Sequence, residues 1–418
     1  MDFDLVMELA ADQKIRVLFV DDEENILRAL RRMLHGIRSP WNVQFLESGE
    51  KALAYLEKSP VDVVVTDMRM PGMNGAELLE KVSRDYPETI RIILSGFSDT
   101  TLVSRSIGTS HQFFDKPCDA EGLIASISKS LNLRTLISNH GLHAFLSSLS
   151  RLPSSLSTYK KLNAEIAKEN AATASIANII QSDVAFVAKV LKLVNSAYFG
   201  LPNHVASCHQ AIQLLGLDTI RSIVATSAFF YEFEESPETA LTINRLGQRS
   251  MEISVLAGEI MSIEGGSAAQ QSHASSAGLL LHIGSLLLLA NLPELYRSAC
   301  AICDDDGASI VDAEWTAFKT NHAELGAYLL ALWGFPDQII ESVLFHHKPS
   351  NHQADAFGPI TAVHVAQALV KIPPDEPEAD KIIFGNLDMD HLAAVNKTDR
   401  ISVWWKLYFQ LSERRIRP

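Results

Sequence analysis

Five side chains in the first 120 residues have the types and the order needed for phosphoryl chemistry. Asp67 follows Val63-Val64-Val65-Thr66, and Pro71-Gly72 and Gly75 come soon after it. A continuous β-branched run is the pattern of a strand buried on both faces of a parallel sheet. Asp67 is therefore placed at the carboxyl end of a central strand, where open α/β sheets carry their chemistry. Asp21 and Asp22 close an earlier apolar run, Val17 to Val20, Ser95 closes Ile90 to Leu94, and Lys116 follows Gln112-Phe113-Phe114. All of these ends fall on one edge of the sheet. Three carboxylates gathered there require a cation, and oxygen donors select a hard one such as Mg²⁺. The metal and Lys116 could neutralise a phosphoryl group on Asp67, and the Ser95 hydroxyl could donate to its oxygen.

Periodicity assigns the surrounding elements. Ile26, Leu27, Leu30, Met33 and Leu34 share a helical face. Val43 to Leu46 is a second strand, and Ala52, Leu53 and Leu56 mark a second helix. Asp119 is placed to cap a last amphipathic helix reaching Leu131. Five strands alternating with five helices predict a doubly wound, flavodoxin-like α/β domain over residues 15–132, after a tail of residues 1–14.

This constellation resembles the receiver domain of two-component response regulators over Ile15 to about Leu131. The resemblance implies that Asp67 is the phosphoacceptor for a histidine kinase or phosphotransfer protein. It makes Asp22 a direct Mg²⁺ ligand, Asp21 a ligand through water, and Asp67 and the Arg69 backbone carbonyl the rest of the protein's metal shell. Ser95 and Phe114 match the family's switch pair, Lys116-Pro117 its Lys-Pro, and Gly75 its loop glycine. Lys116 and Ser95 are the residues expected to assist phosphoryl transfer.

Beyond Leu131 strand signals vanish. Residues 133–150 read as a connecting helix, and the chain then continues as a run of apolar helical stripes: Ile176, Ile179 and Ile180, then Val187, Val190, Leu191 and Val194. Breaks bearing Pro or Gly separate them, and no repeat period appears. The stretches V-L-K-L-V-N-S-A-Y-F-G (190–200), Q-A-I-Q-L-L-G (210–216) and N-H-A-E-L-G-A-Y-L-L-A-L-W-G-F-P (321–336) resemble an HDOD domain, a relative of the HD metal-dependent phosphohydrolases. An output domain over residues 142–371 is implied, followed by a C-terminal helical extension, 372–418, packed on it.

Active HD enzymes use a first His, a His-Asp pair and a later Asp to hold metal. Here Arg249, Leu281, His282 and Gln367 fall at those places. An Arg cannot deprotonate to become a ligand, and no carboxylate bridges two ions. The expectation is a non-catalytic module without a cofactor of its own that acts by protein–protein interaction. The family's associations point to cyclic di-GMP or kinase signalling. The alternative is a phosphorylation-gated phosphohydrolase, opposed by the lost His-Asp pair. His282, His322, His346, His347 and His364 could converge if the HD topology is kept, and whether they hold a metal is left open. Cys300 and Cys303 read as small buried helix residues.

The bulk properties narrow the partners. The 418 residues hold 50 Asp and Glu against 36 Lys and Arg, for a net charge of −14, and 47% are hydrophobic. An acidic surface disfavours DNA and anionic lipid. The segment Asp218 to Phe230, which could pass for a recognition helix, has one Arg and no Lys. Four cysteines and an acidic amino terminus fit a reducing, cytoplasmic setting. The thirteen-residue apolar run Gly278 to Ala290 is shorter than the ~20 residues of a spanning helix and reads as core. A protein target and a second copy of the chain are the remaining candidate partners, with no DNA and no membrane.

Overall fold

A computed structural model of the chain describes residues 15–36, 41–95, 106, 109–116, 120–138, 152, 156–168, 172–195, 205, 208–216, 220, 237–306, 309–352, 356–373, 376 and 379–416. The first domain carries β1 (Arg16–Val20), α1 (Glu24–Gly36), β2 (Asn42–Leu46), α2 (Gly49–Leu56), β3 (Val63–Asp67), α3 (Gly75–Asp85), β4 (Ile90–Ser95), β5 (Gln112–Asp115) and α4 (Ala120–Ser138). The five strands are all parallel, in the order β2-β1-β3-β4-β5. β3 is central and wholly buried, as its β-branched run predicts. The chain order reverses beside β1, so the carboxyl ends of β1 and β3 border the crevice where such sheets bind ligands. The sequence reading of the five strands agrees with this sheet to within a residue or two at each end. The helix expected between β4 and β5, the Asp119 cap, Pro117 and residues 139–151 of the connecting segment lie outside the described residues; α4 itself runs on to Ser138.

The second part is helical: α5 (Leu156–Ile166), α6 (Thr173–Gln181), α7 (Val184–Val194), α8 (Cys208–Leu215), α9 (Pro237–Ile263), α10 (Ala268–Leu280), α11 (Ile283–Asn291), α12 (Pro293–Asp306), α13 (Ile310–Phe318), α14 (His322–Leu332), α15 (Asp337–Phe345), α16 (Pro359–Val370), α17 (Ala379–Asn386), α18 (Met389–Ala394) and α19 (Ile401–Ile416). The stretch Ala268–Asn291 is long and apolar enough to cross a membrane, but 83% of its apolar window is buried inside the fold. It is two core helices, α10 and α11, meeting at Leu281-His282. Gly284 permits that packing, since a Cβ there would sit 1.9 Å from the His322 carbonyl oxygen. Cys300 and Cys303 lie on α12 and are half-buried rather than buried, because α12 is amphipathic. Apart from Ile220, the segment Asp218 to Phe230 lies outside the described residues.

α19 is fastened by one carboxylate. Glu264 accepts from Lys397 Nζ at 2.7 Å, Arg400 Nε at 2.8 Å and Trp404 Nε1 at 3.0 Å. Trp404 is fully buried, with its ring 5.9 Å from that of Phe357.

The two domains touch through one continuous seam. On the first domain it consists of β5, α4 and the turn before β5; on the second, of α7, α14 and the chain after α14. Gln112 Nε2 donates to the Ala331 carbonyl at 3.1 Å, and Ser130 Oγ to the same oxygen at 3.3 Å. Lys129 Nζ donates to the Phe335 carbonyl at 3.2 Å and pairs with Asp337. Lys192, one of two lysines on α7, donates to the Ser110 carbonyl at 2.6 Å and lies 4.9 Å from the centre of the Trp333 ring. Its ammonium is buried, and desolvation pushes its pKa well below the usual lysine range.

Candidate phosphoacceptor site and output-domain histidines

At the carboxyl edge of the sheet, Asp21, Asp67 and Lys116 meet. Lys116 Nζ donates to Asp21 Oδ2 at 2.6 Å and pairs with Asp67 Oδ1. Asp67 Oδ2 accepts from the Arg69 amide at 2.8 Å, and Asp21 Oδ1 from the Glu23 amide at 2.9 Å. Asp21 is almost fully buried, Asp67 is 8% exposed and Asp22 is exposed at the mouth of the crevice. Burial raises the Asp21 pKa, with Lys116 opposing the shift. For Lys116, burial works against the charge, but the bonds to Asp21 and Asp67 outweigh it and the pKa rises.

Backbone geometry explains how these side chains come together. The Lys116 amide donates to the Ser95 carbonyl at 3.0 Å, so the β5 exit is tied to the end of β4. Gly75, at the start of α3, is packed on the Asp67 carbonyl, where a Cβ would lie 2.0 Å from the oxygen. Asn74 caps α3 in a reciprocal capping box with Glu77. Ser95 is buried at the end of β4. Phe114 is half-buried against the same core, opposite Leu94 in the strand register.

The donor set fits Mg²⁺. Asp21, Asp22 and Asp67 present three carboxylates to one lysine, and hard oxygen donors in excess of positive charge are what a small dication requires. When bound, such an ion would neutralise charge on an incoming phosphoryl group.

None of the positions that correspond to HD metal ligands carries a carboxylate. Leu281 is fully buried, Gln367 is buried, and Arg249 is half-exposed. His282 is buried with its Nδ1 2.9 Å from Ser250 Oγ, and desolvation lowers its pKa to about 3. Of the five histidines singled out, three converge: His322, His346 and His347. His364 is diverted, its Nδ1 bonded to the His346 carbonyl at 2.7 Å and its Nε2 accepting from the Asp388 amide at 2.8 Å. Desolvation holds its pKa near 4. Glu314, which pairs with His322, carried no signal in the sequence. Lys192 did carry one, as a lone cation inside the apolar run 190–194.

Comparison with known proteins accords with this division. The family model for the response regulator receiver domain matches residues 17–128, and that for the HDOD domain matches residues 152–349. The chain belongs to the two-component response regulators, with an N-terminal receiver followed by an HDOD domain. It is 33% identical to the hydrogenase transcriptional regulatory protein HoxA of Cupriavidus necator over 128 residues, 30% of this chain and 26% of that protein. It is 31% identical to a cyclic di-GMP phosphodiesterase of Thermotoga maritima over 119 residues, 28% of this chain and 31% of that one. The chain thus spans about a quarter to a third of these two relatives' own length. Among solved structures, the MmoQ response regulator of Methylococcus capsulatus aligns at 24% identity and a TM-score of 0.42, over 58% of this chain and 97% of that one.

Proposed function

We propose that the chain is a phosphorylation-switched adaptor. Asp67 accepts a phosphoryl group from a histidine kinase or phosphotransfer protein, and the HDOD domain answers by changing what it binds. The observation that carries this reading is the seam between the domains, in which Gln112 and Ser130 of the receiver share the Ala331 carbonyl of the output domain. Gln112 begins the strand that bears Phe114 and ends beside Lys116. A shift of β5 on phosphorylation therefore reaches α14 without an intermediary.

In this reading the Asp67 carboxylate is the nucleophile. Lys116 offsets the charge of the phosphoryl oxygens, and Asp21, Asp22, Asp67 and the Arg69 carbonyl would hold Mg²⁺, which would supply further positive charge there. Ser95 turns its hydroxyl toward the new acyl phosphate, and Phe114 follows into the space vacated. Two-state packing of this kind converts a local charge change into a shift of a whole face. The output is non-catalytic, because Arg249, Leu281, His282 and Gln367 offer no bridging carboxylate. Its target is a protein, in a cytoplasmic pathway involving cyclic di-GMP or kinases.

The test is co-purification from native lysate on two baits, the wild-type chain with Mg²⁺ and beryllofluoride and the Asp67→Asn chain. A protein held by only one bait is the expected result. Matching lists from both, or phosphodiester hydrolysis by the purified chain that requires Asp67, would overturn the adaptor reading.

A further inference from the structure

The long helix α9 buries one face and leaves a stripe of the other in solvent. Ile243, Ile253, Leu256, Ala257 and Ile260 are buried. On the opposite side Leu241 is 51% exposed, Val255 46% and Ile263 42%, three of the nine large apolar side chains that the described residues expose. At 3.6 residues per turn these three share a face with Arg245, Gln248, Glu252 and Glu259. Arg245, Gln248 and Glu259 are exposed, and Glu252 is half-buried. From Leu241 to Ile263 the stripe runs about 33 Å. Apolar side chains aligned along one exposed helix face mark a surface that another element covers.

The charges on the stripe identify the occupant. Arg245 lies in its amino-terminal half, Glu252 at its middle and Glu259 in its carboxyl-terminal half. A parallel copy of the helix would set like charge on like. An antiparallel copy sets Arg245 against Glu259 and Glu259 against Arg245, and a two-fold axis makes every such contact twice. One register does this and matches the apolar ends as well. Residue 252 is midway between Arg245 and Glu259, and also midway between Leu241 and Ile263. An ionic pair and an apolar pair are thus centred on the same residue, and Gln248 meets Val255 one step away from that register. Packed helices lie about 8–10 Å apart, close enough for Arg and Glu side chains to meet. Glu252 falls on the axis beside its own copy, and this like-charge contact keeps the pair weak and reversible.

We propose that two copies of the chain associate through α9, antiparallel about Glu252, with reciprocal Arg245–Glu259 pairs and Leu241 against Ile263. The stripe is exposed while the receiver is docked on the output domain, so pairing needs no release of the receiver. The inference is independent of the phosphorylation reading. The pair forms whether or not Asp67 carries a phosphoryl group, and it presents two output domains to a partner at once.

The test is sedimentation equilibrium of the full-length chain in Mg²⁺ without a phosphoryl mimic, from micromolar to submillimolar concentration. A monomer–dimer equilibrium is expected, and the same one for Asp67→Asn. Arg245→Glu and Glu259→Arg should each weaken it about tenfold or more, because each puts two like-charge contacts in place of two opposite ones. Mixed in equal amounts, the two variants should recover a dimer of wild-type strength, since each supplies the charge the other lacks. The double variant Arg245→Glu, Glu259→Arg should recover it alone. Leu241→Asp, at a second point of the same register, should weaken the dimer as much as either reversal. A wild-type chain that stays monomeric at submillimolar concentration would overturn the pairing. So would a dimer indifferent to Arg245→Glu or to Leu241→Asp, or single variants whose mixture stays monomeric.

Discussion

The Gln112 side-chain amide donates to the Ala331 backbone carbonyl at 3.1 Å, joining the receiver's edge strand to α14 across 219 residues of sequence. Ser126 and Ser130 hold the same glutamine from α4. One side chain of β5 is thereby fixed by both domains, and whatever moves β5 must either carry α14 along or break this bond.

Removing it has a calculable cost. Gln112→Ala leaves the buried Ala331 carbonyl with Ser130 and the Gly334 amide, and the double variant Gln112→Ala, Ser130→Ala leaves it with the Gly334 amide and no receiver donor. Each side-chain hydrogen bond lost is worth about 0.5–1.5 kcal/mol. The double variant should loosen docking, seen as faster proteolysis between the domains and a larger radius of gyration in solution scattering. Scattering identical to wild type would show that this contact does not hold the domains together.

Lys116 is the counter-charge for Asp21 and Asp67. In Lys116→Met these carboxylates lose it, and repulsion should lower stability by about 1–3 kcal/mol in chelator. Millimolar Mg²⁺ should restore most of that loss, so the Tm of the variant should depend on Mg²⁺ more steeply than that of wild type. Acceptance of phosphoryl from a small-molecule donor should nevertheless fall. Equal Mg²⁺ dependence in the two proteins would count against a shared cation site.

Gly75→Ala should harm the same site through the backbone. Its Cβ would meet the Asp67 carbonyl, and the forced shift should cost about 1–3 kcal/mol, in the range for overpacked positions. Phosphorylation at Asp67 should slow, because the carboxylate moves with its own carbonyl. Wild-type stability and rate in Gly75→Ala would show that α3 yields freely.

Acid should destabilise the chain well above the range in which carboxylates titrate. Burial holds His111 well below the ordinary imidazole value, His282 near 3 and His364 near 4. The unfolded chain takes up these protons near pH 6.5 and the folded chain does not. The stability they contribute is therefore intact above about 6.5 and lost as the pH falls, at about 1.4 kcal/mol per pH unit for each ring. In metal-free buffer the Tm should fall steadily from about pH 6.5 to about pH 5. A flat or rising Tm over that interval would mean that these rings are charged in the fold.

The strands were legible because each is a short apolar run ended by a polar residue, and Val63-Val64-Val65 has no other stable use. The receiver's carboxylates and lysine were legible because each sits at such an end, so one-dimensional spacing fixes a common edge. The seam was not. Ala331 and Phe335 take part through backbone carbonyls, which every residue has, and only Lys192 in its apolar run marked the interface. The histidines were half legible. The adjacent pair His346-His347 and the distant His322 were candidates from their type alone, but nothing in the sequence excluded His364, whose nitrogens are taken by backbone groups. Glu314, on the preceding helix, gave no sign of its role.

In the proposed switch, charge at Asp67 is read by α14 through β5. Hydrogen exchange followed by mass spectrometry decides this, on the full chain with Mg²⁺ and with or without beryllofluoride. Altered protection is expected in peptides covering both 112–130 and 322–337 in the wild-type chain, and no change in Asp67→Asn. A change confined to the receiver, with 322–337 exchanging as before, would contradict the coupling.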